Sequence, residues 1–318
     1  MKHLNEEIFP LVDSPIYQKT LLIVLGALFL GSLIVYFLRK KNFFFVYSWG
    51  SLKGWLIVAP IFFVLFGLPD PWPLIVLTLL AIFGAKAFFQ IMGMYHRSLF
   101  VWLCYLGILG LSLSILHESH ELYNVFPMIF WGTSLLIPFV RNNYKKMIQY
   151  IALTNMAFVF LGWAFLHLGW ILKLPSGVYQ FMYLIILTEF CDNTNLALSY
   201  NLGKIKLFDR IDRRRTLEST LVSVFLTLLL AFIMRFLLPD PSEIYWLTTG
   251  LVASLGGIFG DLTMTVIRKD AGIHRMGQFI LGRGDFLHRM DRMIFVAPIY
   301  YYVMKWFSSL NMLHVPNQ

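Results

Sequence analysis

The sequence predicts an all-α, polytopic membrane protein, a bundle of about ten transmembrane helices with two cytoplasmic segments that carry polar motifs. Three observations lead there. Of the 318 residues 58% are hydrophobic and only 14% charged, with a mean hydropathy of +0.69, whereas a soluble domain carries roughly a quarter charged residues. The apolar residues gather into runs close to the length needed to cross a hydrocarbon core about 30 Å thick. The basic residues fall on alternate connections between those runs, the pattern by which membrane helices are oriented. The same figures exclude a soluble enzyme, and 30 Phe, 15 Tyr and 9 Trp exclude a disordered chain.

The runs cover residues 20–38, 54–68, 72–89, 99–116, 125–140, 148–172, 178–190, 217–238, 244–259 and 293–307. The first runs from Lys19 to the Arg39-Lys40-Lys41 cluster, and the second follows Lys53. The third begins after Asp70, the fourth after Arg97, and the fifth ends at Arg141. The sixth lies between Lys146 and Lys173, and the seventh ends at the acids Glu189 and Asp192. The eighth contains Arg235, whose stem can snorkel near a helix end. The ninth is followed by Asp261 and the tenth is preceded by Arg292. The second, seventh and tenth runs are short for a span. With the N-terminus outside, alternation places 21 of the 26 Lys and Arg in cytoplasmic connections and leaves Lys2, Lys19, Lys173 and Lys305 outside. The net charge of +9 therefore reads as an orientation signal rather than a nucleic-acid surface. No cleavable signal peptide is expected, and Cys104 and Cys191 offer neither a disulfide framework nor zinc-type spacing. The chain reads as one membrane domain, with helices of low motif content over 1–175 and a catalytic-type half over 176–318.

Chemistry is expected in the two long polar segments, about 189–218 and 261–292, because the other connections are too short to build a site. Glu189 and Asp192, at i and i+3, share a helix face at the membrane boundary, where unpartnered carboxylates are costly. Lys204, Lys206, Arg210 and the cluster Arg213-Arg214-Arg215 follow. They can neutralise a polyphosphate or a lipid headgroup, or act only as topogenic charge. In the second segment Asp285, His288, Arg289 and Arg292 fall on one helical stripe, and Gly282 and Gly284 flank Arg283, so that backbone can approach a phosphate. Oxygen ligands beside several arginines suit metal-assisted phosphoryl chemistry. They also suit interhelical salt bridges.

Gly260-Asp261-Leu262, Arg268-Lys269, Ala271-Gly272-Ile273, Gly282, Gly284, Leu287, Arg289 and Asp291 together resemble the signature of the phosphatidate cytidylyltransferase (CDP-diacylglycerol synthase) family. Upstream, Asp192, Gly203, Lys204, Lys206, Leu207, Arg215, Thr216 and Glu218 are similar to that family's second conserved segment. The likeness covers roughly the C-terminal 130 residues. It implies a nucleotidyltransferase in which a lipid phosphate, phosphatidate or a relative, attacks the α-phosphorus of CTP and expels pyrophosphate with magnesium assisting. By the same resemblance Asp261 and Asp291 hold Mg2+ and Asp192 lies beside the nucleotide. Lys204, Lys206, Arg215, Thr216, Arg268, Lys269, Gly282, Arg283 and Gly284 contact substrate, and Arg289 stabilises charge on pyrophosphate. The chain departs from the signature where Arg283-Gly284-Asp285 replaces His-Gly-Gly and His288 replaces an aspartate. Imidazole is a poor magnesium ligand, so Asp285 is the candidate to supply the missing oxygen. The expected setting is multi-pass in a bacterial cytoplasmic membrane with the site facing the cytoplasm. The expected partners are CTP, an anionic lipid phosphate and membrane lipids, without nucleic acid, and a homodimer is compatible with the sequence. The alternative function is a relative that binds anionic lipid or nucleotide without turnover. A transporter is disfavoured because the ionisable residues collect at one membrane face rather than at mid-depth.

Overall fold

A computed structural model describes residues 14–38, 43–239, 242–272 and 290–313. The described chain is mainly helical: α1 (Pro15–Leu38), α2 (Phe43–Phe66), α3 (Trp72–Ile91), α4 (Ser98–Leu116), α5 (His120–Arg141), α6 (Met147–Leu172), α7 (Gly177–Leu202), α8 (Leu217–Ile233), α9 (Glu243–Asp270) and α10 (Met293–Leu313). Among the described residues six of these, α1, α3, α4, α5, α6 and α9, are long and apolar enough to cross a membrane, and Leu52–Phe66 and Leu217–Ile233 are shorter apolar helices. The expectation of about ten spans stands at six by that measure. α7 and the helix that holds the tenth run do not meet it, because polar residues occupy part of their length, as the C-terminal half of α7 shows with Glu189, Asp192, Asn193 and Asn195.

The helices are built as lipid requires. Each satisfies its own backbone hydrogen bonds, and neighbours meet through shape rather than through expulsion of water. α6 and α9 are continuous but widen locally into π-helical turns at Phe158–Ala164 and Val252–Gly256. In α6 the wider turn seats Phe158 face to face with Phe130 of α5, ring centroids 3.7 Å apart. At one end of the bundle Lys173 meets both Asp70 (2.9 Å) and Glu118 (3.6 Å). Alternation with the N-terminus outside puts the connections that hold Asp70, Glu118 and Lys173 on one face, and the three groups meet there. Arg235 follows α8 in a short 3-10 turn and pairs with Glu243 at 3.2 Å, so it lies at a helix end and not within a span.

The all-α expectation needs one correction. Between α7 and α8 the chain forms an antiparallel hairpin, β1 (Lys206–Phe208) and β2 (Asp212–Thr216). Strands of three and five residues cannot span a bilayer, so the hairpin lies outside the helical layer as a cover over the ends of α7 and α8. Thr216 closes β2 and caps α8 in the same step. Its hydroxyl accepts the Ser219 N–H while the Ser219 hydroxyl receives the Thr216 N–H. This reciprocal cap satisfies two donors that a helix start otherwise leaves open.

Candidate active site

Four separate pieces of chain bring charge to one buried point. The first is α7, whose one face carries Glu189 and Asp192, as their i, i+3 spacing requires. The second is β2. Its pairing steps from Lys206↔Thr216 to Phe208↔Asp212, two residues on β1 against four on β2, so β2 bulges. The bulge breaks the alternation of a regular strand. Asp212, Arg215 and Thr216 are buried while Arg213 and Arg214 stay exposed. The third piece is α9, where Asp261 and Arg268, two turns apart, are both buried. The fourth is the start of the last helix, which brings Asp291 and Arg292.

Gly260 sets the distance between the last two pieces. A Cβ on it would stand 2.3 Å from the Asp291 carbonyl oxygen and 2.9 Å from the Arg292 Cα. Only a residue without a side chain lets α9 lie this close to the approaching strand of backbone. Asp261 is consequently held beside Asp291 and Arg292.

The side chains form a continuous chain of alternating charge. Arg292 Nη1 lies 2.9 Å from Glu189 Oε1 and 3.5 Å from Asp192 Oδ2. Asp192 Oδ1 accepts from Arg215 Nη2 at 2.7 Å, and the same nitrogen donates to Asp261 Oδ2 at 2.5 Å. Arg268 Nη2 is 3.9 Å from Asp261 Oδ1, and Arg268 Nη1 donates to Asp291 Oδ2 at 2.5 Å. Asp212 adds a further carboxylate, 3.6 Å from Arg215 Nε, and binds Arg214 at the rim. Arg215 is 1% exposed and Asp291 0%, so these are not the weak pairs of a wet surface. Burial works against the charge on Arg215, but Asp261 and Asp192 outweigh it and raise its pKa above the ordinary arginine value. Burial likewise opposes charge on Arg292, and Glu189 and then Asp192 override it. The neighbouring carboxylates therefore hold Arg215 and Arg292 in the charged form.

Two properties of this cluster bear on chemistry. Among the described residues five buried carboxylates (Glu189, Asp192, Asp212, Asp261 and Asp291) face three buried guanidiniums (Arg215, Arg268 and Arg292), with Arg214 joining Asp212 at the rim. At the same time Arg215 Nε and Nη1, Arg268 Nη2 and Arg292 Nε have no hydrogen-bond partner among the described residues. Buried donors of this kind bind anions with oxygen acceptors, phosphates above all. Among the described residues no group of three or more His, Cys, Asp or Glu forms a ready metal cage. Magnesium does not need one, since it keeps most of its waters and takes one or two carboxylates. Asp261 and Asp291, which share Arg268 between them, provide that number.

Of the residues singled out in the sequence, Asp192, Arg215, Asp261, Arg268 and Asp291 come together here. Lys204, Lys206 and Lys269 do not join the buried cluster. Lys206 is exposed and pairs with Asp209 at 3.4 Å. Lys204 is exposed and is held through its backbone N–H, which with that of Ile205 donates to the Glu218 carboxylate. Lys269 is exposed and reaches the Arg210 carbonyl oxygen at 3.4 Å. Thr216 is a helix cap. Gly282, Arg283, Gly284, Asp285, His288 and Arg289 lie outside the described residues. Three members of the cluster have no specific catalytic, substrate or metal role in the sequence reading: Glu189 and Arg292, which it singles out only by position, and Asp212. Glu189 and Arg292 carried a signal in their helical spacing to assigned residues. Asp212 carried none, because its inward direction depends on the bulge.

A model of the cytidylyltransferase family matches residues 51–307. The chain is 24% identical over 236 residues to the phosphatidate cytidylyltransferase of Bacillus subtilis (strain 168), covering 71% of this chain and 87% of that protein. It is 28% identical over 164 residues to the uncharacterized protein YnbB of Escherichia coli (strain K12), covering 48% of this chain and 55% of that one. Over 117 residues it is 36% identical to the phosphatidate cytidylyltransferase of Synechocystis sp., covering 35% of this chain and 39% of that protein. The match thus spans about half the length of YnbB and less of the Synechocystis protein.

Proposed function

Because the chain belongs to the cytidylyltransferase family, we propose that it is a membrane nucleotidyltransferase of phospholipid synthesis that transfers CMP from CTP to phosphatidate or a related lipid phosphate. A phosphate oxygen of the lipid attacks the α-phosphorus of CTP. A new P–O bond forms, the bond between the α-phosphorus and its bridging oxygen to the β-phosphate breaks, and that electron pair leaves with pyrophosphate.

The observation that carries this reading is the set of buried guanidinium donors of Arg215, Arg268 and Arg292 without hydrogen-bond partners among the described residues, interleaved with carboxylates. Bound polyphosphate oxygens would fill those donors. Because the arginines are already fixed by carboxylates on other elements, they need little reorganisation when charge moves onto the departing pyrophosphate, which is the main protein contribution to phosphoryl transfer. Asp192, through Arg215, positions the same guanidinium that touches Asp261. Asp261 and Asp291 would hold Mg2+, which would supply charge neutralisation on the phosphates. Asp285 and Arg289 would complete the ligand and phosphate contacts from the segment 273–289. The site faces the cytoplasm, where CTP is available.

The test uses the purified full-length protein with α-labelled CTP, Mg2+ and phosphatidate. The expected products are labelled CDP-lipid and an equal amount of pyrophosphate, neither of which forms without the lipid. Lipid or nucleotide binding with no pyrophosphate release would instead assign binding without turnover.

A further inference from the structure

A cavity of about 580 Å³ lies between α1, α2, α7 and α8, within the size range of small-molecule sites. Its wall is almost wholly apolar, with Ala27 of α1, Trp55 and Phe62 of α2 and Ile186 of α7 among the lining residues. Along α7 the lining runs from Met182 to Leu198, a rise of about 24 Å at 1.5 Å per residue. That exceeds the roughly 15 Å of one leaflet's hydrocarbon. Near its far end Tyr36 of α1 meets Trp49 of α2 edge-on, ring centroids 5.2 Å apart, and near its start α1 is fastened to its neighbours. Tyr17 donates to the Phe63 carbonyl, Tyr179 donates to Ser14 Oγ at 2.7 Å, and Lys19 sits 4.6 Å over the Phe236 ring. Beyond that end its outer residues, including Leu22, Phe29, Leu30, Leu33 and Phe37, are exposed, so the cavity has lipid on its far side.

The apolar wall is interrupted at Glu189, Asn193 and Thr194. Glu189 is the carboxylate that holds Arg292 at 2.9 Å, and Arg292 continues through Asp192 to Arg215. The cavity and the arginine cluster therefore share Glu189 as a common wall. An occupant that complements both sides has a hydrocarbon tail and an anionic head. α1, residues 15–38, precedes the stretch matched by the family model, which starts at residue 51.

We propose that the α1–α2–α7–α8 cavity seats an acyl chain of a diacyl anionic phospholipid, with its phosphate at the Arg292–Arg215 side of Glu189. The inference rests on the reading of the charged cluster as a lipid-phosphate site and adds where the tail of that lipid lies. Ala27 lines the cavity from α1 and Ala197 from α7, so Ala27→Trp and Ala197→Trp are each designed to fill it without replacing a charged group.

The decisive measurement is photo-crosslinking of the full-length protein in nanodiscs with dioleoyl phosphatidate carrying a diazirine on one acyl chain, with no nucleotide present. Label is expected on peptides of α1 and α7. Excess phosphatidate should compete it away and equal phosphatidylcholine should not, and each Trp variant should cut it by at least about tenfold. In turnover, each variant should raise the KM for lipid by a similar factor and leave the KM for CTP unchanged. Equal competition by phosphatidylcholine, or label indifferent to both variants, overturns the proposal. If a variant does not fold, the competition pattern of the unaltered protein decides. Selective label without CDP-lipid formation would keep the tail site and reject the transferase reading. Turnover with unchanged lipid KM in two folded variants would do the reverse.

Discussion

Arg215 shows how much of the site rests on single side chains. It is 1% exposed and touches carboxylates from three elements: Asp192 of α7, Asp212 of β2 and Asp261 of α9. Removing it in Arg215→Ala leaves buried carboxylates without their counter-charge, a loss of about 3–5 kcal/mol, expected as a large fall in thermal stability in detergent. Arg215→Lys keeps the charge but not the planar fork. One lost charged hydrogen bond of about 1.5–3 kcal/mol predicts a fold that survives with CDP-lipid formation reduced roughly tenfold to a hundredfold. Asp261→Asn and Asp291→Asn are each expected to lower turnover by at least about a hundredfold, close to 2.7 kcal/mol of barrier. Full activity in both would show that the transferase site lies elsewhere. At this scale the sequence was informative where a residue type and its neighbours follow a motif, as with Asp192, Asp261 and Asp291. Lys204, Lys206 and Lys269 also follow the motif, and their side chains stand in the open outside the buried cluster. Nothing in a linear pattern distinguishes an inward arginine from an outward lysine next to a bulge.

At the scale of elements the site depends on close approach rather than on charge. Gly260→Ala would push a Cβ against the Asp291 carbonyl, and overpacking of this kind costs about 1–3 kcal/mol. The expected outcome is lower stability together with reduced turnover, since the clash acts directly between Asp261 and Asp291. Thr216→Ala removes the cap of α8 and is expected to cost about 1 kcal/mol in a thermal melt, with turnover kept in the surviving folded protein. That result separates a structural Thr216 from a substrate contact, which would instead show as a raised KM for CTP. The helix positions were legible because apolar runs of span length have few alternatives in lipid. The hairpin was not, because five residues of β2, Asp212-Arg213-Arg214-Arg215-Thr216, hold no apolar alternation to reveal a strand. The π-helical turns in α6 and α9 were also hidden, since they respond to the packing of neighbouring helices.

For the whole molecule, the alternation of basic residues predicts opposite faces for Glu118 and Lys204. Both native cysteines, Cys104 and Cys191, are buried, so a new surface cysteine can be labelled selectively. Glu118 is 68% exposed. Glu118→Cys is expected to react with a membrane-impermeant maleimide only in right-side-out vesicles, and Lys204→Cys only in inverted ones. Labelling of both from one side would reject the topology and with it the cytoplasmic site. The sequence by itself determined that this is a helical membrane protein and which family motif its two polar segments follow. These depend on composition and local spacing, and lipid punishes any departure from them. Only the tertiary structure decided which charges meet. Glu189, Asp192, Arg215, Asp261, Arg268, Asp291 and Arg292 come from segments up to about a hundred residues apart in sequence. Their pairing is set by a bulge, a glycine contact and the crossing of α7 with α9, all properties of packed backbone that no local pattern encodes.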